Sequence, residues 1–174
     1  MNNIHEWILT FFYFGNAKKA PGTIGSALAV ALWFFVTSIF VASGIDLVLQ
    51  TFFWLIFCAF FFNYGIFAAP IYAKYRKLKK VDHKSIILDE VVGQIIALQI
   101  SYLYLFEDFF SSISITAYHL IASFVMFRFF DIYKPSVIGL IDKKLNSGLG
   151  VMLDDAIAGF AAGWIVVLGW WIVL

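Results

Sequence analysis

Five stretches of this sequence, residues 24–41, 47–73, 86–106, 113–133 and 151–174, approach or exceed the length of a membrane crossing while carrying few charges. A helix needs about 20 apolar residues to cross the hydrocarbon core. Inside that core every backbone N–H and C=O must be bonded, which leaves helices and closed barrels. The stretches are too long for barrel strands and lack the alternation of a barrel wall. The expected fold is therefore all-α, a polytopic membrane helix bundle of about five transmembrane helices in one domain, residues 1–174. A further apolar segment, IHEWILTFFYF at residues 4–14, is short for a crossing. It is expected to form an interfacial or re-entrant helix.

Composition agrees with a membrane protein. Charged residues make up 13% of the chain, against about a quarter in soluble domains. The single cysteine, Cys58, excludes an internal disulfide framework and a cysteine-rich zinc site. The N-terminus lacks the basic region and small-residue cleavage site of a signal peptide and is expected to remain in the mature protein. The lipid bilayer is the expected partner, no nucleic-acid partner is expected, and the oligomeric state stays open.

Orientation follows from lysine and arginine. Six of the twelve lie in KYRKLKKVDHK, residues 74–84. Lys18 and Lys19 precede the first span, and Lys134, Lys143 and Lys144 lie between the fourth and fifth. Arg128 sits within the fourth span near that same end, and the opposite connections, 42–47 and 107–112, carry no Lys or Arg. The positive side is expected to be cytoplasmic.

Four polar motifs then share that side: APGTIGS (20–26), SIILDEVVG (85–93), FRFFDIYKP (127–135) and NSGLGVMLDD (146–155). They bring Asp89, Glu90, Asp131, Asp154 and Asp155 within a turn or two of the helix ends. Gathered carboxylates repel one another in low dielectric unless cations neutralise them. Arg128 and Lys134 supply two positive charges, and a hard divalent cation would satisfy the rest. With oxygen ligands only, Mg²⁺ is expected rather than zinc. Adjacent acids diverge by about 100° around a helix, so one of each pair is expected to face the site. Two structural readings stay open: an Arg128–Asp131 ion pair within one helix face, and acids that simply complement helix dipoles.

Small residues supply the anion side of the site. Pro21, Gly22, Thr23, Gly25 and Ser26 combine a turn, free amides and hydroxyls at a helix start, where phosphate binds readily. Gly148 and Gly150 are read in the same way. His83 is either a phosphate contact or a solvated loop residue; His5 is expected at the interface and His119 as a packed polar residue.

In order and over residues 14–163, these motifs resemble those of the phosphatidylglycerophosphatase A family. The resemblance implies a Mg²⁺-dependent phosphatase of the bacterial inner membrane, with its active site on the cytoplasmic side. Such an enzyme converts phosphatidylglycerophosphate to phosphatidylglycerol and phosphate in phospholipid synthesis. On this reading Asp89, Glu90, Asp131, Asp154 and Asp155 hold metal, while Thr23, Gly25, Ser26, Arg128 and Lys134 hold phosphate. Arg128 and the five acids are the catalytic set. The alternatives are a membrane phosphotransferase acting on another phospholipid or a polyprenyl phosphate, and a cation transporter. A transporter would need polar residues to continue into the outer half of the bundle.

Overall fold

A computed structural model describes residues 3–110, 112–134 and 147–173. The connection 135–146, with Lys143, Lys144 and Asn146, lies outside the described residues. Among the described residues all regular secondary structure is helical. The helices are α1 (Asn3–Leu9), α2 (Pro21–Ala42), α3 (Leu47–Tyr75), α4 (Leu88–Phe109), α5 (Ile113–Tyr133) and α6 (Gly148–Val173), with a 3₁₀ turn at Phe14–Asn16.

Four of these, α2, α3, α5 and α6, are long and apolar enough to cross a membrane. The fifth expected span, α4, has 22 residues, about 33 Å at 1.5 Å per residue, but it carries more polar side chains than the others. Its position explains the difference. α4 packs against α2, α3, α5 and α6, so its buried Asp89, Gln94, Gln99 and Ser101 face protein instead of lipid. α1 has seven residues, far short of a crossing. It folds over one end of the bundle, where Leu9 packs with Ala68, Tyr72, Leu88 and Val151. The Leu9 carbonyl accepts a hydrogen bond from the Ile87 amide at 3.0 Å.

The α4–α6 contact sets the geometry of the site. Gly159 lies directly on the Gly93 backbone, and a Cβ at Gly163 would sit 3.0 Å from the Ala97 carbonyl oxygen. Ala97, Ala158 and Ala162 are buried beside them. This spacing of small residues lets two membrane helices approach backbone to backbone, gaining dispersion contacts where lipid supplies no hydrophobic drive. Gly159→Val would drive a side chain into the Gly93 carbonyl. The expected cost is about 1–3 kcal/mol, read as a lower thermal midpoint in detergent. An unchanged midpoint would refute the tight α4–α6 seam.

The opposite half of the bundle holds polar groups beyond the Gln99, Ser101 and His119 that stand out there in the sequence, and they bond to one another. Trp33 donates to Gln99 Oε1 at 3.1 Å, and Gln99 donates to Thr51 Oγ1 at 3.2 Å. Trp54 donates to Thr37 Oγ1, and Tyr102 donates to Gln50 Oε1, both at 3.2 Å. Ser101 hydrogen-bonds with His119 and Ser123, so His119 is the packed polar residue expected. Trp33, Trp54 and Tyr102 form one aromatic cluster around these bonds. Such pairs pin the helices together.

Candidate active site

The starts of α2, α4 and α6 and the ends of α3 and α5 meet at the end of the bundle that bears the lysine-rich connection. α2 begins there after Ala20, which adopts the left-handed conformation at φ 45°. Lys134, at φ 41°, ends α5 in the same conformation. Two strained non-glycine residues thus flank one site, and such strain is held only where surrounding structure over-determines it.

Five carboxylates gather between these ends, and the fold divides them. Asp89, Glu90 and Asp155 each offer an oxygen within 4.8 Å of the others'. Asp131 borders this group through Asp155 and meets Arg128 Nη1 at 2.5 Å, one turn apart on α5. Asp154 meets Lys134 Nζ at 2.5 Å. The pair on α6 behaves as helix geometry requires: Asp154 and Asp155 lie in its second turn and point apart, one to a cation and one to the cluster. The pair on α4 departs from the expectation that one acid of each pair faces the site. Both Asp89 and Glu90, in the first turn of α4, join the cluster. There the Asp89 side chain folds back to accept the Glu90 amide at 3.1 Å, while the longer Glu90 reaches across toward α2.

Glu90 reaches as far as Gly22. A Cβ at position 22 would collide with Glu90 Oε1 and lie 3.2 Å from Arg128 Nη1, so only glycine leaves room for their approach. Arg128 also donates to Ser26 Oγ at 3.3 Å, and Ser26 donates to the Gly22 carbonyl at 3.0 Å. Ile24 donates to the Ala20 carbonyl at 3.2 Å, leaving the amides of Gly22 and Thr23 as the open N–H groups of this helix start.

Three glycines expected to contact phosphate have other contacts here. Gly25 packs on Ile87, where a Cβ would lie 3.0 Å from the Ile87 Cβ. Gly148 and Gly150 belong to α6 rather than to a loop before it. Gly148 rests on the Ile66 backbone, whose carbonyl lacks its usual helical donor because residue 70 is proline. The Gly150 amide donates to Ser147 Oγ at 3.3 Å, so the helix start supplies its own cap. His83 lies outside the carboxylate cluster, bonded through Nδ1 to Ser85 Oγ at 2.8 Å. His5 Nδ1 bonds Tyr64 OH at 2.7 Å.

The sequence reading passed over two residues near the site. The charge of Asp82, from the lysine-rich connection, acts on both Asp89 and Asp154. Its surrounding lysines hid it. Gln94 lies one turn beyond Glu90 on α4 and is fully buried. A lone glutamine within an apolar helix gave no signal until its neighbours were placed.

The donor chemistry fits a hard cation. Asp89, Glu90 and Asp155 offer oxygen only, and Glu90 Oε2 is buried without a hydrogen-bond partner. These three residues would hold a divalent ion. Beside them, Arg128 Nε is also buried and unpartnered, a donor available to an anion.

Comparison with known proteins identifies relatives along nearly the whole chain. The chain is 32% identical to phosphatidylglycerophosphatase A of Haemophilus influenzae over 93% of its length and 85% of the relative's. It is 27% identical to phosphatidylglycerophosphatase A of Escherichia coli, covering 97% and 86%. A Bacteroides thetaiotaomicron protein provisionally named a phosphatidylinositol-3-phosphatase is 29% identical, covering 94% and 92%. No solved structure matches the chain significantly. The family profile described as phosphatidylglycerophosphatase A matches residues 7–170, from α1 to near the end of α6. A phosphatase-family match across the helices that carry the acids and the arginine makes this chain a member of the phosphatidylglycerophosphatase A family.

Proposed function

We propose that this chain is a Mg²⁺-dependent lipid phosphatase of the bacterial inner membrane that releases phosphate from phosphatidylglycerophosphate at the cytoplasmic face. The observation that carries this reading is the cluster of Asp89, Glu90 and Asp155 within 4.8 Å, set between Arg128 and the open amides of α2. Phosphoryl transfer depends chiefly on positioning and charge neutralisation, which such a cluster supports. A bound Mg²⁺ would supply a water of lowered pKa and neutralise charge on the phosphate. Arg128 binds phosphate oxygens through its unpartnered Nε, while Asp131 holds the guanidinium in place. The Gly22 and Thr23 amides and the Thr23 hydroxyl hold the remaining oxygens. Lys134 adds a positive charge at the rim and keeps Asp154 turned aside. The acyl chains stay in the bilayer, so only the headgroup enters. Phospholipid synthesis is the setting that this reaction implies.

The names of the Haemophilus and Escherichia relatives favour this substrate, while the Bacteroides relative's name makes phosphatidylinositol 3-phosphate the comparison to run. Purified protein is expected to release phosphate from phosphatidylglycerophosphate faster than from phosphatidylinositol 3-phosphate or phosphatidic acid. Chelation is expected to stop release and added Mg²⁺ to restore it. Metal-independent release, or a preference for the inositol lipid, would overturn the reading. Inverted membrane vesicles should hydrolyse an added short-chain substrate that sealed right-side-out vesicles leave intact.

A further inference from the structure

Gln94 is buried completely, yet neither atom of its side-chain amide has a hydrogen-bond partner. The other buried glutamines are engaged. Gln50 donates to the Ile45 carbonyl at 2.7 Å and accepts from Tyr102, and Gln99 bridges Trp33 and Thr51. Buried amides in folded proteins almost always find partners, so a bare one asks what it faces. Gln94 follows Glu90 by four residues, which puts both on one face of α4. On that face Glu90 Oε2 is also bare, and Arg128 Nε is bare beside it. Glu90 and Arg128 meet over Gly22. The unpartnered groups therefore include acceptors as well as donors.

That mixture constrains the ligand. Unprotonated phosphate oxygens only accept, so they would satisfy Arg128 Nε and the Gln94 NH₂ but leave Gln94 Oε1 unpaired. A hydroxyl both donates and accepts, and one hydroxyl can serve both ends of an amide. We propose that Gln94 is a specificity-determining residue, its amide holding the free hydroxyl of the phosphorylated glycerol headgroup. This rests on the phosphatase reading above and adds the part of the substrate that the site reads. Phosphatidic acid carries its phosphate directly on diacylglycerol and has no such hydroxyl. A site built to pair with a hydroxyl leaves its own polar groups unpaired when an analogue lacks one, and it rejects that analogue strongly.

The test measures kcat/KM for phosphatidylglycerophosphate and phosphatidic acid at saturating Mg²⁺, with wild type and Gln94→Met at matched folded concentration. Methionine keeps the length of the side chain and removes the hydrogen bonds. The variant is expected to lose about 10- to 100-fold on phosphatidylglycerophosphate and to change less than about threefold on phosphatidic acid, collapsing the preference. Equal losses on both lipids, or an unchanged ratio, would mean that Gln94 only packs or holds a water, and would overturn the proposal. Should Gln94→Met fail to fold, Gln94→Asn keeps an amide but withdraws it by one methylene, and the same ratio decides. A wild type active on both lipids without preference overturns the proposal and leaves a phosphatase. A wild type active on neither fails the functional reading itself, and the proposal falls with it.

Discussion

Asp155→Asn is expected to nearly abolish phosphate release while making the metal-free protein more stable. The first effect follows from its place in the cluster with Asp89 and Glu90. Losing one charged ligand removes positioned electrostatics worth about 10²–10³-fold in turnover, by analogy with the loss of one oxyanion-hole donor. The second effect follows from the company it keeps. The charges of Asp131, Asp89 and Asp154 all act on Asp155, and no cation pairs with it among the described residues. Removing one of several like charges from low dielectric relieves repulsion. Opposite signs for activity and stability mark a group kept for function. Asp154→Asn is expected to behave differently, because it breaks the ion pair with Lys134 and lowers stability, with a smaller loss of turnover. The measurements are thermal unfolding in chelator and a Mg²⁺ titration of phosphate release. Wild-type activity in Asp155→Asn would remove it from the site, whatever its stability.

Arg128→Lys is expected to lose about 100-fold in kcat/KM although its charge is kept. Arg128 reaches Asp131 and Ser26 through Nη1 and leaves Nε bare. One planar group thereby binds its own helix, braces α2 and still presents a donor to the site. A lysine ammonium can replace the ion pair with Asp131 but not the fork. If Arg128 merely neutralises Asp131, lysine would restore most of the activity. The comparison of Arg128→Lys with wild type, at equal amounts of folded protein in detergent, separates these outcomes. Activity within about threefold of wild type would reduce Arg128 to a structural ion pair.

The division of the five acids shows where sequence reading stops. Their identity and approximate depth were legible, because a carboxylate near a membrane helix end stands out against its apolar neighbours. Their partners were not. Whether Asp154 or Asp155 faces Asp89 depends on the rotation of α6 about its axis, and that rotation is set by Gly159 lying on the Gly93 backbone. Membrane helices are apolar on every side, so hydrophobic periodicity does not reveal which stripe faces protein. α4 is the partial exception, since its polar residues face inward. Gln94 stayed hidden for a related reason: a buried glutamine looks the same in sequence whether bonded, like Gln99, or bare.

The sequence by itself determined that this chain is a helical membrane protein, placed the polar motifs at one end of its helices, and gave the order of motifs that resembles its family. Those properties follow from local quantities: the length of apolar runs, the placement of lysine and arginine, and the residue types in short segments. Tertiary structure alone decided that Asp89, Glu90 and Asp155 form one cluster, that Asp131 and Asp154 turn to cations, and that Gly25 and Gly148 pack helices together. It also decided that α4 lies at the centre, with α2, α3, α5 and α6 around it. The physical reason is that an ion pair or shared ligand cluster joins residues far apart in the chain. Its geometry depends on how closely two backbones approach, and that distance is set by the packing of small side chains across helices.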